Sequence, residues 1–336
     1  MAILWCGGED IDFPNGTAFS IDTSTTAARR TAYARCTLTM NSANSMGRSV
    51  VFPGGAVTSA WLTARMYYGN VPPSGQGGHI GVGLSGTSKG LFVGGGASTG
   101  GKVTLYKYDG TTWTALSAES GTSLASGSLY KLDMQVTSYG ASATVNVYWG
   151  GSLIITYSGD VTVSGMTNFD SVFSAVGAFA SYGATLSEMI VASEDTRLMG
   201  LCTLAPSAAG DANAWTQTTA GANGYQDIND VTIDDSKVWY VNSTAQDGQV
   251  NLLDLPAGAY SVKAVKIAAR CAMSVGSTPT NIDLGIKSGG TIDPGASQAL
   301  GTSWAYYERY MATNPVTSAA FTVSDANALQ LNFRSA

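Results

Sequence analysis

Apolar and polar residues alternate in short runs through much of the first half of the chain, which is the pattern of β-strands with one buried face. The clearest run is Leu129–Thr137, whose alternate positions are the apolar residues Tyr130, Leu132, Met134 and Val136. An amphipathic helix would instead repeat its apolar positions about every 3.6 residues. The pattern therefore predicts mainly β structure.

Glycine-containing turns separate these runs at the spacing of β-hairpins. Gly150-Gly151 lies between two alternating runs, and Asp109-Gly110 separates Lys102–Tyr108 from Thr111–Leu116. Two-residue turns of this composition favour antiparallel hairpins. Turn signals about every 8 to 12 residues are typical of antiparallel β-sandwiches.

The character of the chain changes in Ser193–Pro206, which ends the last alternating run and leads into a stretch rich in Pro, Ser, Ala and Gly. We place a domain boundary at about residue 197, which divides the chain into domains 1–197 and 198–336. Beyond the boundary β patterns return, most clearly in Asn281–Lys287, where apolar residues occupy alternate positions.

One short helix is predicted near the C-terminus, within residues 322–329. Thr322 is placed to cap it and Asp325 to complete a capping box, and the residues from Leu329 to Phe333 then alternate as a last strand. The expected fold is all-β, with two antiparallel, jelly-roll-like β-sandwich domains and at most this short helix.

The composition excludes several classes of protein. Only 12% of the 336 residues are charged and 44% are hydrophobic, which fits neither a disordered chain nor a coiled coil. The net charge is −6 and the Lys and Arg residues are scattered, so we expect no nucleic-acid partner. No apolar stretch reaches the roughly 18 residues of a membrane span, and the N-terminus lacks the basic start of a signal peptide. We expect no membrane insertion and a protein made in the cytoplasm.

Two glycine motifs resemble phosphate-binding loops without the context that such loops need. Gly81-Val82-Gly83-Leu84-Ser85-Gly86 matches the dinucleotide fingerprint, but more glycine and a β pattern follow it instead of a helix. Gly96–Lys102 is a near match to a P-loop, with Val103 where Ser or Thr should bind magnesium. Both segments are predicted to be strand and turn, and no cofactor is expected.

No assembled catalytic site can be identified in the sequence. His79 is the only histidine, so a Ser-His-Asp or Cys-His triad would have to include it. Glycoside hydrolysis needs a pair of carboxylates close together. No two glutamates in this sequence have a spacing that would place both on one face of one strand. The glutamates are Glu9, Glu119, Glu188, Glu194 and Glu308. We predict that the protein is not an enzyme and has no catalytic residues.

Metal sites are not predicted either. The four cysteines form no CxxC pair, so neither a zinc ribbon nor a redox motif is indicated, and buried free thiols are expected. These cysteines are Cys6, Cys36, Cys202 and Cys271. Two acidic segments have oxygen ligands that calcium accepts, although an acidic turn explains each without a metal. They comprise Glu9, Asp10 and Asp12, and then Asp227, Asp230, Asp234 and Asp235.

Aromatic residues are the most suggestive functional feature, with seven Trp and sixteen Tyr in a turn-rich chain. Trp113, beside the Asp109-Gly110 turn, is the candidate contact residue for a glycan or a protein partner. An exposed ring can stack on a sugar or anchor an interface. Ordinary core packing is the expectation for at least about two-thirds of these rings.

The N-terminal half resembles the laminin-G or concanavalin A-like sandwich found at the start of many tailed-phage virion proteins. The resemblance rests on Met1–Asp10, Tyr33–Cys36 and the strand series Leu129–Tyr157. The second half resembles a β domain that recurs in virion structural proteins of tailed phages. Its matching segments are Asp234–Val241, Leu252–Pro256, Ala264–Arg270, Lys287–Gly290, Tyr306-Tyr307, Thr313–Pro315 and Asn327–Leu329.

The resemblance implies a structural component of the virion, assembled in several copies in the host cytoplasm and exposed on the particle. A tail-associated fibre, spike or collar protein is the leading interpretation, and a head decoration or head-fibre protein is an alternative. Homo-oligomer contacts and other virion proteins are the implied partners. A second alternative is an adhesin that binds host surface glycans. The Glu-x-Asp-x-x-Glu pattern of concanavalin A-like glucanases does not occur in the sequence.

Overall fold

The computed structural model describes two compact units. The first unit comprises the described residues up to Leu201, and the second comprises those from Cys202 to Ala336. The division lies a few residues beyond the predicted boundary at 197, because Lys131 of the first unit binds backbone carbonyls as far along the chain as Met199. The described residues are 3–7, 19–22, 37–40, 46–68, 78–95, 102–121, 123, 125, 128–176, 184–219, 224–229, 234–258, 260–276 and 278–336.

Within its described residues the first unit forms an eight-stranded and a six-stranded antiparallel sheet. The strand order is β12-β11-β10-β5-β14-β3-β2 in the larger sheet, where β1 also pairs with β14, and β4-β13-β6-β7-β8-β9 in the smaller one. The strands are β1 (Ile3–Gly7), β2 (Phe19–Asp22), β3 (Thr37–Met40), β4 (Met46–Val51), β5 (Ala60–Tyr68), β6 (Gly78–Gly83), β7 (Gly90–Gly95), β8 (Val103–Tyr108), β9 (Trp113–Ala115), β10 (Ser128–Val136), β11 (Ala143–Trp149), β12 (Ser152–Gly159), β13 (Ser171–Val176) and β14 (Ala184–Ala192).

The period-two pattern of β10 is confirmed. Leu132, Met134 and Val136 are buried on one face of the strand, where they lie opposite alternate residues of β5. Both predicted hairpins also form. Gly150-Gly151 connects β11 to β12, and Tyr108 pairs with Trp113 across the turn between β8 and β9.

The fingerprint-like glycines lie in β6 and the turn after it, as predicted. A Cβ atom on Gly81 would lie 2.6 Å from the Phe92 ring, and one on Gly83 would lie 2.8 Å from the Phe173 ring. These two glycines therefore allow aromatic rings to pack against the backbone of the sheet, a role that needs no phosphate. Gly96–Gly101, the loop of the second motif, lies outside the described residues, and a strand follows it.

The second unit is also built from antiparallel sheets, and the all-β fold class is confirmed. Its largest sheet has the order β15-β18-β24-β20-β21 with β22 paired to β20, and the pairs β16-β17 and β19-β23 are separate. Its elements are β15 (Pro206–Asn213), β16 (Thr216–Gln217), a 3₁₀ helix (Gly224–Ile228), β17 (Trp239–Tyr240), β18 (Asp247–Leu252), β19 (Val265–Cys271), β20 (Asn281–Ser288), β21 (Thr291–Asp293), β22 (Ser297–Ala299), β23 (Ala305–Met311), α1 (Val323–Asn327) and β24 (Gln330–Ser335).

The core of the second unit joins the β19-β23 pair to the largest sheet. Ile267 of β19 and Met311 of β23 pack in one cluster with Leu284 of β20 and Phe333 of β24. These residues point to one face of their strands, which leaves the alternate residues of β19 and β23 on the opposite face.

The predicted C-terminal helix is confirmed as α1. Thr322 caps it by accepting a hydrogen bond from the Asp325 backbone, and the Asp325 carboxylate accepts one from the Thr322 backbone N–H at 2.9 Å. This is the reciprocal capping box that the sequence predicts. No helix in the described part of the chain is long and apolar enough to cross a bilayer.

Candidate functional site

The larger sheet of the first unit has a polar face built from β5, β10 and β11. Thr63, Asp133 and Tyr148 are in register across these three strands, and Arg65 is in register with Lys131. Residues that pair across antiparallel strands lie on the same face of the sheet. We use the term polar face for Trp61, Thr63, Arg65, Lys131, Asp133 and Tyr148.

A segment that we call the strap, residues 195–199, lies over the polar face. The Lys131 ammonium donates hydrogen bonds to the backbone carbonyls of Thr196 at 3.3 Å, Arg197 at 2.5 Å and Met199 at 2.8 Å. One ammonium group thus binds three carbonyl oxygens of a segment that belongs to none of the described strands. This contact holds the strap against the sheet.

Arg197 of the strap stacks on two aromatic rings of the polar face. Its guanidinium lies 4.5 Å from the centre of the Tyr148 ring and 5.3 Å from that of Trp61, and the two rings are stacked at 5.7 Å. Asp195 binds the guanidinium with two oxygens, and this hydrogen bonding lowers the pKa of the Asp195 carboxyl. The planar cation is held by cation–π and bidentate contacts together.

Asp133 is fully buried beneath the strap, and neither of its carboxylate oxygens makes a hydrogen bond within the described part of the chain. The buried hydroxyl of Thr196 also lacks a hydrogen-bond partner there, and that of Thr63 makes no hydrogen bond of good geometry. Burial raises the pKa of the Asp133 carboxyl, and the nearby Thr63 hydroxyl and the Lys131 charge offset only part of that rise. An unpaired buried carboxyl is costly and calls for a physical explanation.

A second buried carboxylate joins this face from β14. Glu188 is 3% exposed and forms an ion pair with Arg65, with 3.7 Å between Oε1 and Nε. Its backbone φ is 52°, in the left-handed region, and the pairing of β14 with β5 shifts register between Ser187 and Ile190. A β-bulge at this point turns the Glu188 side chain toward Arg65.

A shallow cavity of about 440 Å³ opens beside the strap. The side chain of Leu198 in its lining is 100% exposed. The lining residues are Lys131, Gly150, Gly151, Asp195, Arg197 and Leu198. The cations here are bound by other groups of the fold, so the arrangement holds the strap in place.

A similar arrangement occurs in the second unit, on the outward face of the β19-β23 pair. The Arg270 guanidinium lies 5.6 Å from the Trp304 ring centre and 5.1 Å from that of Tyr306. Asp235 binds it with two oxygens at 2.8 and 2.7 Å. Trp304 is 39% exposed, which leaves a large part of an oriented indole ring open to solvent.

Trp113, the predicted contact residue, lies in β9 and is half-buried. Its ring stacks on Tyr108 at 4.6 Å and meets the edges of Phe92 at 5.0 Å and Tyr106 at 5.9 Å. The ring therefore packs in an aromatic cluster on the smaller sheet, with Phe173 as a further member. A glycan or protein contact by Trp113 stays a prediction.

The acidic candidates of the second unit are engaged by neighbouring groups. Asp227 is buried and accepts a hydrogen bond from the Thr219 backbone, Asp234 accepts two from Ser236, and Asp235 binds Arg270. In the part of the chain that the structure describes, no three His, Cys, Asp or Glu residues are placed to bind a metal ion. Glu9, Asp10, Asp12 and Asp230 lie outside the described residues.

The remaining candidates for chemistry are also placed. His79 lies in β6, opposite Gly94 of β7. Cys6, Cys202 and Cys271 are half-buried, whereas the sequence predicts fully buried thiols, and Cys36 lies outside the described residues. Burial of its sulfur raises the pKa of the Cys271 thiol to about 12, so this group is protonated at neutral pH and a poor nucleophile.

The sequence interpretation missed the two arginine–aromatic clusters. Trp304 and Tyr306 are two residues apart in an extended segment, so their common face could have been inferred from the period of a strand. Nothing local indicates that Arg197 would lie over Trp61 and Tyr148, because those residues are distant in sequence.

Comparison with known proteins finds similarities only among solved structures. No protein-family model and no curated protein matches this chain. The T. cruzi calreticulin globular domain is 10% identical with a TM-score of 0.43, over 59% of this chain and 90% of that one. An endo-β-1,4-glucuronan lyase from the fungus Trichoderma reesei is 8% identical with a TM-score of 0.40, over 57% and 96%. A carbohydrate-binding module from Bacillus subtilis is 11% identical with a TM-score of 0.34, over 53% and 98%. None of these three is described as a phage protein.

Proposed function

We propose that the chain is a non-enzymatic structural component of a tailed-phage particle, tail-associated as a fibre, spike or collar and present in several copies. The sequence resemblance of both halves supports the phage assignment. The observation that carries the non-enzymatic role is the internal use of the charged groups, since Lys131 binds three carbonyls and Arg197 binds Asp195. Groups engaged in this way hold segments of the fold together. Although Lys131, Asp195 and Arg197 also line the shallow cavity beside the strap, their charged atoms are bound to other groups of the fold, which disfavours a role as acids, bases or nucleophiles.

The protein is expected to be recovered with purified phage particles and with tails separated from them. Quantitative mass spectrometry of particles, tails and heads measures its copy number in each fraction. Recovery with heads alone would favour a head decoration or head-fibre protein. Its absence from every fraction would refute the virion assignment.

A carbohydrate-binding role is the second candidate, and it is favoured by the exposed indole of Trp304 beside Arg270. A half-exposed aromatic ring next to a fixed pair of hydrogen-bonding groups is a common way to hold a sugar, because the ring covers the apolar face and the polar groups bind the hydroxyls. Trp113 is enclosed by three other rings, so Trp304 offers more open ring surface.

If this second function is correct, Trp304→Ala is expected to weaken saturable binding to host-envelope glycans by about tenfold or more, as the loss of one stacking contact does. The matched variant Trp113→Ala is expected to change binding less. A glycan array and titration with the full-length protein measure both. If only Trp113→Ala abolished binding, Trp113 and not Trp304 would be the glycan contact. If the wild type bound no glycan on the array, the carbohydrate-binding role would be refuted.

A further inference from the structure

β12 forms an edge of the larger sheet in the first unit. It pairs with β11 on one side, and no strand in the described part of the chain pairs with its other side. The strand is eight residues long, Ser152–Gly159, and contains no charged residue and no proline. Natural sheets protect their edges with charges, prolines or short strands, because an open edge is a template for pairing.

Each of the other edge strands in the described residues is shorter than β12 or carries a charge or a proline. β4 includes Arg48, β15 includes Pro206 and Asp211, and β9 and β21 have only three residues each. β1 and β2 are five and four residues long. β12 is therefore the edge strand that combines length with a lack of charge.

Two exposed leucines lie beside this edge. Leu153 of β12 is 54% exposed and lies opposite Tyr148, whose ring is covered by Arg197. Leu198, the next residue of the strap, is 100% exposed. Leu198 lines the cavity together with Gly150 and Gly151, the turn that leads into β12, so both leucines lie near the start of this edge strand. Exposed apolar side chains grouped beside an open strand edge favour an interaction surface.

We infer that β12 pairs with β12 of a second copy of this chain, antiparallel and across a two-fold axis. An uncharged strand is compatible with its own antiparallel copy, because no like charges face each other even though the chain has a net charge of −6. The pairing satisfies the outward backbone groups of both strands and buries Leu153 and Leu198 of each copy. This is β-augmentation with a second copy as the partner. The inference rests on the multiple-copy part of the proposed function.

The full-length wild type is expected to sediment as a dimer that dissociates on dilution between about 100 and 1 µM. Leu153→Lys places a charge at the edge of each copy and is expected to weaken the dimer by about tenfold or more. Val51→Lys is the matched control, because Val51 is also 54% exposed and ends an edge strand of the other sheet. It is expected to leave the dimerisation constant within about twofold.

Hydrogen exchange gives a second readout that needs no variant. The amides of residues 152–159 are expected to exchange more slowly at concentrations where the dimer forms than after dilution. A monomer at all concentrations, an odd-numbered assembly, equal effects of the two lysine substitutions, or unchanged exchange in β12 would each overturn the interface. Protection of β12 by a different virion protein would do the same. None of these outcomes affects the recovery of the protein in particles, so the two proposals fail separately.

Discussion

Asp133→Asn is expected to raise the free energy of unfolding of the first unit at neutral pH and to leave it nearly unchanged near pH 3. The reason is the buried, unpaired carboxyl of Asp133, whose pKa is raised by burial. Below pH 3.8 the carboxyl is protonated in both folded and unfolded chains, and it then imposes no pH-dependent penalty. As the pH rises, the unfolded chain ionises first, so the wild type loses stability until the folded carboxyl also ionises.

The gain from Asp133→Asn is expected to reach about 1–3 kcal/mol at pH 7, because the neutral amide avoids the cost of ionising a buried carboxyl, which is about 1.4 kcal/mol for each unit by which its pKa is raised. Urea unfolding of the full-length chain at pH 3, 5 and 7 measures it. Hydrogen exchange of residues 128–136 assigns the transition to the first unit. A variant that is less stable than the wild type at pH 7 would show that the carboxylate has a partner that stabilises its charge.

Asp160→Asn serves as the control with the opposite sign. Asp160 accepts hydrogen bonds from the hydroxyl and the backbone of Thr162, which lower the pKa of its carboxyl. Such a group stabilises the fold above its unfolded pKa and loses that contribution as the pH falls. Asp160→Asn is therefore expected to lower stability at pH 7, and a gain from both asparagine variants would indicate a general charge effect instead.

Lys131→Met is expected to release the strap. The substitution keeps most of the unbranched side chain but removes the ammonium that binds three backbone carbonyls. Leaving those carbonyls without their charged donor is expected to cost about 2–4 kcal/mol of local stability. Trypsin cleavage after Arg197 measures the opening directly, and its rate is expected to increase by about 30-fold or more.

Lys107→Met is the matched control for this experiment, because the Lys107 ammonium binds a single carbonyl, that of Thr162, at 3.2 Å. Cleavage after Arg197 is expected to proceed in this variant at the wild-type rate. If Lys131→Met also left the rate unchanged, the stacking of Arg197 on Tyr148 and Trp61 would be sufficient to hold the strap, and the role assigned to Lys131 would be wrong.

Much of the local structure could be predicted because strands and turns are set by neighbouring residues. The alternation from Leu129 to Thr137 specifies β10, and Gly150-Gly151 specifies the turn before β12. The capping pair Thr322 and Asp325 likewise marks α1. Each of these signals lies within a few residues, at the scale where backbone geometry and side-chain period are decided.

The candidate site required the tertiary structure, because burial depends on segments that are distant in sequence. Asp133 occupies a polar position of an alternating strand, and only the return of the strap over that face buries it. Trp113 follows a turn, which suggests exposure, yet Tyr108 and Phe92 of neighbouring strands enclose its ring.

The sequence by itself determined several of the strands, among them β10 and β20, the glycine turns before β9 and β12, and where α1 begins. The tertiary structure decided which faces of those strands are covered, that Arg197 stacks on Trp61 and Tyr148, and that β12 lies at an edge of its sheet among the described strands. The physical reason is the distance in sequence over which each kind of interaction acts. Period and turn chemistry act between adjacent residues, whereas desolvation, cation–π contact and strand pairing arise only when the fold brings remote segments together.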